Sequence, residues 1–202
     1  MIDIKKVILL FSVLSLILGC ATLPPVKNPQ ITESNLPSQC RIEGIKPIKQ
    51  HYMGCVPSCV EMVSKFYGRE LNQDAIAKWI ERARGTTAED IEQFVNWNGF
   101  NGYRFHDWQS SKSKIKYFLS QGYPVIVGGR LGFGESGHTI VLIGFDDSKV
   151  IVWEGKQSKG VFIACDPTPG KIVQIGYDIF AEFHRGMAGS SQYYGLVVYP
   201  KN

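Results

Sequence analysis

The sequence predicts an α+β fold in which N-terminal helices pack on a mostly antiparallel sheet formed by the C-terminal half. Two observations support this prediction. Up to Gly122, apolar residues recur at helical spacing in four segments. Beyond Gly122, the apolar runs are short, rich in β-branched residues and separated by Gly, Asp, Pro and Ser. Helices followed by a succession of strands are typical of α+β domains.

The first half contains the helical signals, and each of the four segments ends at a glycine. We predict helices over residues 56–68, 72–85, 86–99 and 110–122. Pro57 lies near the start of the first helix, where its missing N–H costs nothing. Overlapping capping boxes occur in residues 86–90, at the start of the third helix. Residues 103–108 are interpreted as a linking stretch.

The second half is predicted to be a run of strands, interrupted by one amphipathic helix over residues 177–185. The strands are predicted over residues 123–130, 138–147, 149–155, 160–167, 171–176 and 192–200. Because no internal repeat is present, these elements are expected to form one sheet of a single domain.

The N-terminus has the pattern of an export signal. Lys5 and Lys6 precede an apolar run that ends at Cys20 and is too short to be a typical membrane-spanning helix. The ending "LILGC" resembles the bacterial lipoprotein box, which implies that Cys20 is lipidated and anchors the protein to a membrane. In a Gram-negative host, Ala21 implies the outer membrane, with the protein facing the periplasm. The alternatives are an ordinary signal peptide or a short anchor helix.

The chain is accordingly divided into three parts. Residues 1–19 are the signal peptide, and residues 20–41 are an extended tether with four prolines that begins at the lipidated cysteine. Residues 42–202 form the folded domain, which is long enough to bury one full core. The whole chain has a net charge of +4 and no long basic run, so no nucleic-acid partner is expected.

Four cysteines remain once Cys20 is set aside. An exported protein meets an oxidising compartment, so one disulfide can form among Cys40, Cys59 and Cys165, and the sequence does not choose the pair. No spacing typical of a zinc site occurs. Cys55 is different because it stands at the start of a predicted helix.

A thiol at a helix N-terminus lies beside free backbone N–H groups and the positive end of the helix dipole. Both favour the thiolate, the reactive form of Cys55. Cys59 lies one turn further on the apolar face and is expected to be inert. The alternative is that Cys55 is merely buried or disulfide-bonded.

A thiol nucleophile needs an imidazole that accepts its proton and returns it to the leaving group. His138 follows a glycine-rich loop and opens an apolar strand, so it is predicted to lie at the rim of the sheet. The other candidates are weaker. His51 is expected at the surface, His106 lies in the linking stretch, and His184 ends the last helix, where a cation would satisfy the final carbonyls.

Two further residues complete the candidate site. Asp166 ends another apolar strand and can orient His138 if the two strands run side by side. Gln50 and the backbone N–H of Cys55 can donate to an oxyanion. The alternatives are that Asp166 simply starts a proline turn and that Gln50 is an exposed loop amide.

The motifs occur in a familiar order. Gln50 is followed by "CVPSCVEMVSKFYG" from Cys55, by "GHTIVLIGFD" from Gly137 and by "DP" from Asp166. This order resembles the papain-like cysteine peptidases of the bacteriocin-leader-processing (double-glycine peptidase-like) group. The likeness covers nearly the whole mature domain, and it implies a papain-like cysteine peptidase fold. One departure is Val56, which stands where the group usually has glycine.

The resemblance implies that Cys55 is the nucleophile, His138 the base, Asp166 the orienting acid and Gln50 the oxyanion donor. It implies no metal or organic cofactor. The expected protein is a membrane-anchored cysteine peptidase that hydrolyses peptide bonds of a peptide or protein substrate through an acyl-enzyme thioester.

Two alternatives stay open. The same triad can serve a cell-wall peptide amidase or an acyl transferase. The chain can also be a catalytically inactive peptide-binding lipoprotein. An exported enzyme would lie on the wrong side of the membrane for cytosolic leader removal, so the physiological substrate is not assigned, nor is the oligomeric state.

Overall fold

The computed structural model describes residues 31, 33–52, 54–80, 86–105, 111–130, 137–185 and 194–201. The predicted signal peptide, Cys20 and His106 lie outside these ranges. No helix in the described part of the chain is long and apolar enough to cross a membrane.

The described helices follow the order expected from the first half, with one more near the C-terminus. They are α1 (Cys55–Phe66), α2 (Gln73–Ile80), α3 (Ala88–Trp97), α4 (Ser111–Ser120) and α5 (Tyr177–Arg185). The start of α3 has the predicted capping box. The Thr87 side chain accepts the backbone N–H of Asp90, and the Asp90 carboxylate accepts the backbone N–H of Thr87.

The strands form one sheet in which every pairing is antiparallel. They are β1 (Gln39–Arg41), β2 (Phe100–Phe105), β3 (Val125–Arg130), β4 (Gly137–Trp153), β5 (Lys156–Asp166), β6 (Lys171–Gly176) and β7 (Gly195–Pro200). The spatial order is β2-β7-β3-β4-β5-β6, and β1 also pairs with β4. The predicted α+β class is therefore confirmed.

The core lies on both sides of the central strands. All residues of β3 except the last are buried without alternation, as are residues 138–145 of β4. Such runs are typical of strands covered on both faces. Helices α1 and α4 contact β4, whereas α5 contacts β3 and β5. The catalytic candidates lie where α1 begins and β4 begins.

The long strand β4 replaces two predicted strands. Residues 138–147 and 149–155 were expected to be separate because two aspartates and a serine interrupt the apolar run. The register against β5 shifts between Asp146 and Val150, which is a β-bulge or similar irregularity, and the strand continues through it. It turns back into β5 at Glu154 and Gly155, both of which have positive φ.

Two strands were missed. The strand β1 lies in the last three residues of the predicted tether, so the sheet starts before residue 42. The strand β1 is only three residues long and mostly exposed, so it has no alternation of apolar and polar residues that would predict a strand. Its pairing with Gly144–Asp146 alone defines it. The strand β2 lies partly in the stretch interpreted as a linker. Only its two end residues, Phe100 and Phe105, are buried, and it forms at the sheet edge against β7.

Candidate active site

Cys55 is the first residue of α1, and the helix begins there without a side-chain cap. Its sulfur forms a hydrogen bond with the His138 side chain, and the backbone N–H groups of Val56 and Thr139 donate to it. The helix start and the start of β4 thus meet at one thiol. Val56, Pro57 and Ser58, which complete the first turn after Cys55, are buried, and this holds the helix end against the sheet.

These contacts determine the protonation of Cys55. Burial by itself would raise the pKa of this thiol, but the hydrogen bond and positive charge of His138, with the two backbone N–H groups, lower it below its ordinary value. The net effect favours the thiolate.

His138 is buried and hydrogen-bonded on its other side to a carboxylate. Its Nε2 lies 2.9 Å from Oδ1 of Asp166, which leaves Nδ1 as the nitrogen available to Cys55. Burial alone would lower the pKa of His138, but the bonds and charges of Asp166 and Cys55 raise it to about 9. The lowered pKa of Cys55 and the raised pKa of His138 both favour a thiolate next to an imidazolium.

The sheet register explains why two residues far apart in sequence meet. The strands β4 and β5 are antiparallel, with Val141 opposite Cys165. His138 at the beginning of β4 and Asp166 at the end of β5 therefore lie at the same edge of the sheet. The same Asp166 oxygen accepts the backbone N–H of Thr168 at 2.9 Å, which orients the carboxylate within its turn.

Gln50 is hydrogen-bonded to the turn that follows Asp166. Its backbone N–H donates to the carbonyl of Pro167 at 2.8 Å, and the hydroxyl of Thr168 donates to its Oε1 at 3.4 Å. Neither bond uses Nε2 of Gln50, the amide nitrogen that would donate to an oxyanion. The structure thus brings Gln50 to the turn that carries Asp166.

Gln73 is a residue of this region that the sequence did not indicate. It is only 6% exposed. Its Oε1 accepts the backbone N–H of His51 at 2.9 Å and the hydroxyl of Ser58 at 2.7 Å, while its Nε2 donates to the carbonyl of Lys49 at 3.2 Å. Gln73 therefore ties both neighbours of Gln50 to helix α1.

The Gln73 backbone is held in turn by a buried acid. Its N–H donates to Oε2 of Glu61 at 2.9 Å, and the other oxygen of Glu61 lies 2.8 Å from Nζ of Lys65. In the sequence, Gln73 stands between Asn72 and Asp74 at a helix start, where a polar residue is usually solvated. Only its burial distinguishes it, so no sequence signal pointed to it.

Cys59 has the inert surroundings expected of it. It is fully buried, and its thiol donates to the carbonyl of Thr139 at 3.3 Å. Burial, with smaller effects of nearby negative charge, raises the pKa of Cys59 well above its ordinary value. Thr139 therefore lies between the two thiols, with its N–H donating to Cys55 and its carbonyl accepting from Cys59.

The prediction for His184 is wrong. It is 1% exposed, its Nδ1 lies 3.0 Å from the carbonyl oxygen of Gly128, and its ring stacks on Phe180. Burial lowers the pKa of His184 to about 4, so it is neutral and cannot act as a cation at the helix end. His51, by contrast, is exposed as expected, with Nδ1 2.6 Å from Asp74.

Cys40, Cys55, Cys59 and Cys165 are all free thiols, so the disulfide considered among the three structural cysteines is not formed. Within the described residues, no cluster of three or more His, Cys, Asp and Glu side chains is placed to hold a metal ion. The contacts of Cys55 with His138 and of His138 with Asp166 place a thiol, an imidazole and a carboxylate in series. Such a series can transfer an acyl group through a thioester.

Residues 42–183 match the model of the Peptidase_C39 like family. No curated protein matches the chain. Among solved structures, the peptidase domain of Streptococcus ComA, a bifunctional ABC transporter of a quorum-sensing pathway, is 20% identical, with a TM-score of 0.56 over 78% of this chain and all of that one.

Two other solved structures share the fold. A double-glycine-motif protease from an AMS/PCAT transporter, solved in complex with the leader peptide, is 16% identical, with a TM-score of 0.53 over 80% of this chain and 95% of that one. Xylellain, a cysteine protease from Xylella fastidiosa, is 8% identical, with a TM-score of 0.58 over 91% of this chain and 97% of that one. These matches agree with the predicted papain-like cysteine peptidase fold.

Proposed function

The chain belongs to the Peptidase_C39 like family and is a cysteine peptidase, and from this premise we propose that it cleaves peptide bonds with Cys55, His138 and Asp166 as its triad. The observation that carries the proposal is the series in which Cys55 is hydrogen-bonded to His138 and Nε2 of His138 lies 2.9 Å from Oδ1 of Asp166. The pKa of the Cys55 thiol is lowered and that of the His138 imidazole is raised. This is the ion pair that a thiol peptidase needs before substrate arrives.

The proposed reaction has two half-reactions. The Cys55 thiolate attacks the carbonyl carbon of the scissile bond, and His138 gives its proton to the departing amine as the C–N bond breaks. Neutral His138 then takes a proton from water, whose oxygen attacks the thioester and releases the acid. The Cys55 thiolate and protonated His138 are restored, so protons and electron pairs balance.

Two donors would stabilise the oxyanion of each tetrahedral intermediate. One is the backbone N–H of Cys55 at the start of α1. The other is Nε2 of Gln50, whose position is supported by its bonds to Pro167 and Thr168. Asp166 would keep the imidazole oriented and favour its protonated form.

The substrate class we propose is a peptide in extended or unfolded form outside the cytosol. The relative solved with a leader peptide supports peptide binding by this fold. The lipoprotein-like N-terminus supports a membrane anchor at Cys20, with the domain facing the periplasm and the outer membrane as its location. A tethered enzyme in that place meets exported peptides and the peptides of the cell envelope.

The proposal is tested by alkylation and cleavage with the full chain purified in detergent. Iodoacetamide is added across a pH series, and modified cysteines are mapped by mass. We expect Cys55 to react fastest, with an apparent pKa below the roughly 8.5 of a free cysteine. The His138→Ala variant should lose this low-pH reactivity, while His51→Ala, which changes an exposed histidine outside the triad, should keep it.

Cleavage is followed with a mixed-sequence peptide library, and products are identified by mass. We expect products with new carboxyl and amino termini, and these products should vanish in the Cys55→Ala variant. A reactive Cys55 that releases ammonia or transfers acyl groups without cutting peptides would favour the amidase or transferase alternative. An unreactive Cys55 in a protein that still binds peptides would favour the peptide-binding lipoprotein.

A further inference from the structure

The strands β4 and β5 extend beyond the rest of the sheet as a two-stranded ribbon. Among the described strands, β1 pairs with β4 only up to Asp146, and β6 pairs with β5 only from Val161 onward. Between those points β4 and β5 pair with each other alone, from Val150 opposite Lys159 to Trp153 opposite Lys156. We call residues 148–159 the ribbon tip.

The ribbon tip exposes large apolar side chains. Val150, Val152 and Trp153 are 50%, 68% and 59% exposed. Because side chains alternate along a strand, Val150 and Val152 lie on one face of the ribbon and Trp153 on the other, so the tip is apolar on both faces. Tryptophan with aliphatic neighbours is typical of membrane–water interfaces.

Lysines surround these apolar residues. Lys149, Lys156 and Lys159 are exposed, and Glu154 is the one acid within the tip. Nζ of Lys156 lies 3.5 Å from Glu182 of α5, so Lys149 and Lys159 supply the uncompensated charge. At the base of the ribbon, Asp147 is 2.6 Å from Nζ of Lys116, so its charge is compensated. Long lysine side chains can lay their stems along an apolar surface while their ammonium groups meet lipid phosphates.

The N-terminal segment leaves the domain next to this ribbon. Gln39 pairs with Asp146, and the carbonyl of Ser38 accepts the backbone N–H of Asp147. Because β1 and β4 are antiparallel, the chain before Ser38 runs toward the ribbon tip. A tether that continues from Ser38 would therefore start on the same side of the domain as Trp153.

We propose that the ribbon tip is a second membrane contact, which docks on an anionic lipid surface through Val150, Val152 and Trp153 with lysines around them. The inference rests on the proposed anchor at Cys20. Because the anchor already holds the domain near the bilayer, even a weakly binding patch is engaged at high effective concentration. Its role is to orient the domain.

The orientation has a consequence for the active site. His138 and Asp166 lie at one end of the β4–β5 pair, and the ribbon tip lies at the other. At the usual rise per residue, the strand from His138 to Trp153 spans about 50 Å. Docking by the tip would therefore hold the triad far from the bilayer, where it meets soluble or envelope peptides and not the lipid surface.

The experiment measures quenching of tryptophan fluorescence in the full acylated chain. The protein is reconstituted into vesicles of phosphatidylethanolamine and phosphatidylglycerol that carry brominated acyl chains. The contribution of Trp153 is the difference between the unmodified protein and its Trp153→Phe variant. The matched control is Trp97→Phe, which removes a tryptophan on α3 that is 67% exposed, against 59% for Trp153.

We expect the Trp153 contribution to be quenched and the Trp97 contribution to be unquenched. The Lys149→Glu/Lys159→Glu variant, and vesicles of phosphatidylcholine alone, should lose the quenching of Trp153. Cleavage of a soluble peptide should be the same in all these variants, which shows that they fold.

Three other outcomes would contradict the proposed membrane contact. If the chain floats with vesicles while Trp153 stays unquenched, the anchor stands and the docking surface is overturned. If the chain does not associate with vesicles, both are overturned, and peptide cleavage by the same sample decides separately on the triad. If Val152→Ser dissolves a dimer in detergent and Trp153 is unquenched, the patch binds a second copy instead.

Discussion

Cys55 and Cys59 are the same residue type, four positions apart on one helix, yet their thiols are driven in opposite directions. Burial raises the pKa of both. At Cys55, His138 and two backbone N–H groups outweigh burial, whereas the Cys59 thiol donates a hydrogen bond to a carbonyl, which does not stabilise a thiolate. The pKa of each buried thiol therefore depends on whether its partners stabilise the thiolate enough to outweigh burial.

Among the described residues, two buried histidines show the same contrast. Burial lowers the pKa of both, but His138 has a carboxylate and a thiol as partners and His184 has the carbonyl of Gly128. The pKa of His138 rises to about 9 and that of His184 falls to about 4. The ionisable partners of His138 therefore favour its protonated form, whereas burial favours the neutral form of His184.

The largest expected effect separates the two thiols. Cys55→Ala should reduce kcat/KM for peptide cleavage by roughly 10³-fold or more, because no group remains to form the thioester. Cys59→Ala should change kcat/KM by only a few-fold, and should lower the free energy of unfolding by about 1–2 kcal/mol because it leaves a void in the core.

Peptide cleavage and urea unfolding of both variants check this contrast. If the Cys59→Ala variant is folded but as inactive as Cys55→Ala, both thiols are needed for catalysis and Cys59 is not an inert core residue.

The next prediction separates two roles of the loop before α1: stabilising the oxyanion of the reaction, or stabilising the Cys55 thiolate. Gln50→Ala should lower kcat by about 10²-fold, as expected for loss of one oxyanion donor. Alkylation of Cys55 should be unchanged, because iodoacetamide reacts without forming an oxyanion. Gln73→Leu should lower kcat less, since it acts by positioning Gln50.

The double variant supplies the decisive measurement. If Gln73 acts through Gln50, adding Gln73→Leu to Gln50→Ala should cause little further loss of kcat. Full additivity, or a Gln73→Leu variant whose Cys55 alkylation also slows, would instead make Gln73 a general support of the fold. Ser58→Ala, which removes only one bond to Gln73, is the matched control.

The smallest effect concerns the pH dependence of stability. The folded pKa of His138 lies above its ordinary value of 6.5, so its contribution to stability is fully present below 6.5 and is lost as pH rises through about 9. His184 acts in the other direction. Its folded pKa is about 4, so the unfolded chain takes up the proton first as pH falls below 6.5, and stability decreases.

Thermal unfolding across pH tests both effects, namely the loss of stability at acid pH (the acid limb) and the loss of stability at alkaline pH (the alkaline limb). His184→Gln should flatten the acid limb between pH 6.5 and pH 5, and Asp166→Asn should move the alkaline limb to lower pH because the carboxylate no longer raises the pKa of His138. An acid limb unchanged in His184→Gln would show that other groups cause it.

The order of elements was predictable because helical and strand periods are local properties of the chain. The capping box at Thr87 and the glycine that follows α1 are examples. Strands β1 and β2 were missed since the residues that define them lie far away in sequence, on β4 and β7. Local pattern cannot reveal a strand that exists only through its partner.

The sequence by itself determined the helix-then-sheet architecture, the thiol at a helix start and the candidate residues Gln50, His138 and Asp166. Only the tertiary structure decided the rest. It turned the ring of His184 into the core, buried Gln73 beside the Gln50 segment, and sent the ribbon tip outward on the side where the tether leaves. The protonation state and the position of a side chain depend on its neighbours in space. Antiparallel pairing brings together residues that are far apart in the sequence, and no local pattern reveals these pairs.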